Sequence, residues 1–236
     1  MSDPPRRRMV RLPTGGAPPA ASNERLKTGK LRTPSSRAWL ERQLSDPFVA
    51  EARAHGYRSR SALKLTEIDD GLHILRPKAR VIDLGCAPGG WLQVATERGV
   101  RALAGIDLLP TGPLPGASII EGDFLDPVQA AQLVAQVGGA PDVILSDMAP
   151  NTTGHQRTDH LRIVGLIEAA ADFALDVLAP GGTLLAKAFQ GGETAEIVGR
   201  LKLAFARVRH LKPRASRSES SEVYIAATGF RGRPRP

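Results

Sequence analysis

Cysteine is nearly missing from this chain of 236 residues, where Cys86 stands alone. A single thiol excludes an intrachain disulfide and any cysteine-based metal cluster. Aromatic side chains make up only 4%, with two Trp and two Tyr, which argues against a broad platform of stacking rings. No apolar run approaches the roughly 20 residues that cross a bilayer. The arginines near the N-terminus are not followed by the apolar core of a secretory signal. The expectation is a cytoplasmic protein without a membrane partner. His55, His73, His155, His160 and His210 show no metal-ligand spacing, so no metal is expected.

Positive charge is what the chain has in excess, at a net +8, and it is unevenly placed. Residues 1–35 hold eight Lys/Arg against two acids, leaving nearly balanced charge elsewhere. That segment is rich in Pro, Gly, Ser and Ala and shows no apolar period. It reads as a basic, disordered arm suited to a polyanion such as RNA. Residues 36–230 read as a single domain and residues 231–236 as a frayed basic end.

Ser36 to Leu44 suggests a short helix ended by Asp46-Pro47. In "SRSALKLTEIDDGLHIL", Leu65, Ile68, Leu72 and Leu75 recur at helical spacing, with Ser59 or Ser61 as candidate caps. Lys64 falls in the first turn, where a cation opposes the helix dipole. From Arg80 onward, strands and helices alternate. "RVIDLG", "ALAGID", "GASIIEGD", "PDVILSD" and "GTLLAKAF" read as strands, with helices between most of them. A last strand pair, "ARVRHLKP" and "SEVYIAATGF", closes the chain. This alternation predicts an α/β fold with a largely parallel sheet and helices on both faces. In the long helix after "PDVILSD", Glu168, Asp172 and Asp176 step by four and predict a solvent face.

"DLGCAPGG" follows the first strand and opens a helix, the place where doubly wound folds bind ligands. Gly85, Gly89 and Gly90 do not give the dinucleotide fingerprint, and the Gly-Lys-Ser/Thr of a phosphate loop is missing. A nucleoside without a diphosphate fits better. Asp107 ends the second strand about 20 residues on, where an acid accepts from ribose hydroxyls. Asp123 ends the third strand, placed for the amino group of a base. With Asp83 and the glycine loop, these acids point to S-adenosylmethionine and a methyltransferase. Trp91, opening the helix, reads equally as a packing residue or as lining the pocket. Lys187 is the oddity of "GTLLAKAF", because a lysine ending a buried strand has lost its water.

The set "SRSALKL", "VIDLGCAPGGWLQVA", "GIDLLP", "EGDF", "DVILSDMAPNTTG", "LLAKAFQG" and "SEVYIAATG" resembles the FtsJ/RrmJ (RlmE-type) ribosomal RNA 2′-O-ribose methyltransferases. The resemblance spans roughly Arg37 to Phe230. It implies a Rossmann-like, S-adenosylmethionine-dependent fold with a mostly parallel seven-stranded sheet and an antiparallel last strand. It implies 2′-O-methylation of a uridine in large-subunit (23S) ribosomal RNA, within the 50S subunit, by a monomer. The family's catalytic tetrad falls on Lys64, Asp147, Lys187 and Glu222. Its cofactor contacts fall on Gly89, Trp91, Asp107, Asp123 and Asp147, beside the Asp83 and Gly85 read from the loop itself. Cys86 stands where a small residue is wanted and reads as structural.

A ribose hydroxyl is a poor nucleophile, so such an enzyme needs alignment and a route for the proton. Lys187, buried beside Lys64, is expected to serve as base in its neutral form, or to stay charged and stabilise the alkoxide. RNA contacts by shape and backbone are expected from Arg58, Arg60, Arg207, Arg209, Lys212, Arg214 and Arg217. Alternatives of the same chemistry are tRNA or mRNA-cap 2′-O-methylation. An alternative of another class is a catalytically silent ribosome-assembly factor. A nicotinamide oxidoreductase is disfavoured by the glycine spacing.

Overall fold

The computed structural model describes residues 46–149, 156–190, 194–217 and 220–232. The expected arm (1–35), the helix expected over 36–44 and residues 233–236 lie outside the described residues. In chain order the elements are α1 (Pro47–Ala54), α2 (Ser61–Leu72), β1 (Arg80–Leu84), α3 (Gly90–Glu97), β2 (Ala102–Asp107) and β3 (Ser118–Glu121). There follow α4 (Pro127–Gln136), β4 (Val143–Ser146), α5 (Gln156–Val177), β5 (Thr183–Phe189), α6 (Ala195–Ala204), β6 (Phe205–Leu211) and β7 (Glu222–Phe230).

The strands form one sheet in the order β3-β2-β1-β4-β5-β7-β6. Pairings from β3 through β5 are parallel. β7 inserts between β5 and β6 and runs antiparallel to both. β1, β4 and β5 are almost wholly buried, which is why they read as continuous apolar runs. Alternation sends Ile82, Leu84, Ile144, Leu184 and Ile225 to one face, against α4, α5 and α6. It sends Val81, Leu103, Val143, Leu145, Leu185, Tyr224 and Ala226 to the other, against α2 and α3.

α2 is held on that second face by Ala62, Leu65 and Ile68, all without exposed surface. Burial of each of the two larger side chains is worth about 1.5–3 kcal/mol. That stripe fixes the rotation of α2 and hence where Lys64, next to Leu65, is aimed. The helical period ends at Leu72, because His73 adopts a left-handed conformation (φ 52°) and Leu75 is buried beyond the helix.

Local signals differ from expectation in three places. Asp46-Pro47 starts a helix as well as following one expected outside the described residues. The Asp46 carboxylate caps α1 by accepting from the Phe48 N–H (3.1 Å), with Pro47 at the first helical position. Neither Ser59 nor Ser61 caps α2. Arg60 holds the cap position with helical dihedrals, and the two serine hydroxyls bond each other (2.7 Å). The acidic stripe of α5 is only partly a solvent face, since Arg200 of α6 pairs with Glu168 and Asp172.

Candidate active site

Alternation on the α2/α3 face places Asp83 near the end of β1, Asp107 at the end of β2 and Lys187 near the end of β5. Asp147 follows the last residue of β4 and continues its Val143–Leu145 face. Because β7 is antiparallel, its first residue arrives at this same carboxyl edge: Glu222 lies opposite Phe189, and Tyr224 opposite Lys187. Residues far apart in the chain therefore converge on one spot.

There they form two lysine–carboxylate pairs. Lys64 Nζ donates to Glu222 Oε1 at 2.7 Å, with both side chains largely buried. Lys187 Nζ lies 3.0 Å from Asp147 Oδ1 and donates to the Asp147 carbonyl at 2.7 Å. Each buried cation thus has its own counter-ion, as low-dielectric surroundings demand. The Glu222 pair also accounts for a cation in the first turn of α2, since the carboxylate offsets the dipole. Burial pushes the Glu222 carboxyl up, but Lys64, Ser216 and the Lys187 charge together hold it below its ordinary value.

Two members of this cluster were not foreseen. Tyr224 donates its hydroxyl to Asp147 Oδ1 (2.7 Å), and Ser216 donates to Glu222 Oε1 (2.7 Å). Burial and the Asp147 and Glu222 charges push the Tyr224 phenol well above its ordinary value, so it remains a donor. Its ring lies under Lys64, with Nζ 5.8 Å from the centroid. Strand alternation held the signal, because Tyr224 shares a face with Glu222 two residues earlier. Ser216, in the loop between β6 and β7, has no such periodic signature.

Asp83 lies at the inner end of the site with only 1% exposure, and neither carboxylate oxygen has a hydrogen-bond partner among the described residues. Burial, then the nearby Asp147 and Asp107 charges, raise it well above its ordinary value. An orphaned buried carboxylate is the feature a cationic ligand would satisfy. The glycines of the adjoining loop are set by backbone conformation and close packing. Gly85 has φ 75° and a Cβ there would collide with Met148, while Gly89 has φ 106° and caps α3. Cys86 is buried beside them, its thiol pushed up to about 12 by burial and the Asp83 charge, which suits packing and not nucleophilic attack.

The Asp107 carboxylate is partly engaged already. Oδ2 accepts from Ala87 N–H (2.9 Å) and Oδ1 from Leu109 N–H (2.8 Å). Each oxygen retains a further lone pair for a hydroxyl. Asp123 is exposed on the next loop, with Oδ1 accepting from Leu125 N–H. The Trp91 indole does not line an open pocket. It is 2% exposed, donates to the Ser61 carbonyl (2.8 Å) and packs against Tyr224. Its backbone N–H still belongs to the first turn of α3, behind the glycine loop.

The seven basic candidates divide. Arg58 donates to loop carbonyls, Arg60 and Arg217 pair with Asp46, and Lys212 donates to the Ser220 and Glu222 carbonyls. The Arg214 backbone N–H bonds Glu67. Arg207 and Arg209 project from edge strand β6 on the face shared with Tyr224, Arg207 exposed and Arg209 half-buried.

Among known proteins, the model of the FtsJ-like methyltransferase family matches residues 57–230. A Ribosomal RNA large subunit methyltransferase E of Caulobacter vibrioides is 62% identical over 223 residues, covering 92% of this chain and 99% of that one. The protein of the same name from Gluconobacter oxydans is 55% identical over 206 residues, covering 87% and 77%. A crystal structure described as a ribosomal RNA methyltransferase of Plasmodium falciparum superposes with a TM-score of 0.66 at 29% identity, covering 75% of this chain and all of that one.

Proposed function

Because this chain belongs to the FtsJ-like methyltransferase family, we propose that it methylates the 2′-hydroxyl of a uridine ribose in large-subunit (23S) ribosomal RNA, using S-adenosylmethionine. The observation that carries this reading is the convergence of Lys64–Glu222 and Lys187–Asp147 beside the orphaned Asp83, on one face and one edge of the sheet.

Asp83, Gly85, Gly89, Asp107, Asp123 and Asp147, with the backbone at Trp91, would hold S-adenosylmethionine. When bound, that group supplies a methyl already activated on a sulfonium. What remains for the protein is to orient a hydroxyl and take its proton. An amine that accepts a proton must be neutral at that moment, and Lys187 is the proposed acceptor. Asp147 fixes its position through two acceptors and then balances the ammonium that forms. Tyr224, donating to the same Oδ1, keeps that carboxylate from swinging away. Lys64, anchored by Glu222 and Ser216, brings a positive charge to bear on the developing alkoxide. Arg207 and Arg209 supply cations for phosphates along the open edge.

The test is mass mapping of 2′-O-methyl groups on 23S ribosomal RNA from cells with and without this protein. Purified protein is then offered free 23S RNA and 50S subunits. One uridine losing its methyl in the deletion and regaining it in vitro, with 50S subunits as the better substrate, is the expected result. An unchanged 23S map with a mark lost from tRNA would move the reading to the tRNA alternative.

A further inference from the structure

We infer that Arg58 is a positioning residue for the cofactor pocket, stitching the glycine loop to the loop after β2, and not one of the RNA contacts its charge suggests. Its guanidinium donates through Nη1 to the Pro88 carbonyl (3.3 Å) and the Gly112 carbonyl (2.7 Å), and through Nη2 to the Pro113 carbonyl (2.7 Å). The acceptors lie 30, 54 and 55 residues away and belong to two different loops. Its own backbone is pinned as well. Gln93 of α3 accepts from the Arg58 N–H (2.7 Å) and donates to the Gly56 carbonyl (2.9 Å).

The inference rests on the reading that these loops hold S-adenosylmethionine. Asp107 gathers the same two loops, accepting from the N–H groups of Ala87 and Leu109. The carboxylate collects donors and the guanidinium collects acceptors, so the loops are tied by two complementary charges. The Arg58 side chain crosses over Gly89, where a Cβ would strike its Nη1 and crowd its Cδ. Gly89 is favoured by its positive φ, and a side chain there would also push the guanidinium off its present path. A planar fork of five N–H donors can serve three carbonyls on two loops, which a single lysine ammonium cannot span. Arg58 as a whole is exposed, but both its Nη1 and Nη2 donate to these carbonyls.

The experiment compares wild type with Arg58→Lys and Arg58→Met in the full chain. It measures S-adenosylmethionine affinity by calorimetry, KM for RNA under saturating cofactor, and amide exchange of residues 86–90 and 108–114 without any ligand. Both variants are expected to bind S-adenosylmethionine about tenfold more weakly, the scale of a lost charged hydrogen bond. Their KM for RNA should stay within about twofold, and both loops should exchange faster. Two forms are used so that one remains readable if the other fails to fold. Unchanged cofactor affinity and loop exchange with a raised KM for RNA, relieved in Arg58→Lys, would overturn the inference. Wild-type protein that binds no S-adenosylmethionine would instead overturn the reading of the pocket, while faster loop exchange in the variants would still uphold the clamp.

Discussion

At the scale of single residues, Lys187 and Asp83 stand at one sheet edge in opposite electrostatic settings, the lysine paired with Asp147 and the carboxylate without a partner among the described residues. If Lys187 takes the proton, Lys187→Ala should lower the single-turnover rate about 10²–10⁴-fold while both ligand affinities hold. Lys187→Arg should fail equally, because a guanidinium keeps its proton. Substantial activity in Lys187→Arg would make this residue an electrostatic clamp. Asp83 and Glu222 make a second test, of stability against pH without ligand. Glu222 is held below its ordinary value of 4.5, so its contribution is present above about pH 4.5 and lost as pH falls through the folded value. Asp83 is raised above its ordinary 3.8, so the folded state holds a proton the unfolded chain has released, and stability declines as pH rises above about 4. Urea titrations should therefore show Glu222→Gln flattening the acid limb and Asp83→Asn flattening the decline above it. If Asp83→Asn left the slope above pH 4 unchanged, its carboxylate would have to be solvated or paired in solution.

Among elements, the short segment from Asp46 to Lys64 links more of the molecule than its length suggests. Asp46 caps α1 and pairs with Arg60 at the start of α2 and Arg217 (3.4 Å) in the loop between β6 and β7. Asp46→Ala removes a cap and two charged hydrogen bonds, so a loss of about 2–3 kcal/mol is expected from urea midpoints at constant m. A loss below about 0.5 kcal/mol would mean that the carboxylate merely sits near its partners. The strands were legible because burial on both faces writes them as apolar runs, and Asp83, Asp107 and Asp147 stood out because they lie at or just past the carboxyl ends of those runs. The helix that Asp46-Pro47 begins was not foreseen, because Asp-Pro both ends helices and begins them. The loop contacts of Arg58 were not legible: its acceptors are carbonyls, which every residue has, so nothing in the sequence distinguishes the two loops it joins. Tyr224 lay within reach of the period-two rule, which sets it beside Glu222 and across from Lys187.

For the molecule as a whole, two sources of positive charge are expected to divide RNA binding from chemistry. Removing residues 1–35 takes away six of the eight net positive charges. We expect KM for RNA to rise and its salt dependence to flatten, with kcat nearly kept. An unchanged salt slope would place the arm elsewhere than on the RNA. The other whole-molecule property is the antiparallel insertion of β7 between β5 and β6. Lys64 and Glu222, its partner, are 158 residues apart, and Tyr224 braces Asp147 from the same late strand. During synthesis, a nascent chain that has completed β5 already carries Lys64, Asp147 and Lys187, but β5 is still an open edge and Lys64 lacks the carboxylate that pairs it in the finished fold. Translation must therefore pass Glu222 before Lys64 and its carboxylate can be paired, and a product stopped short of β7 would be left with an unpaired sheet edge open to aggregation.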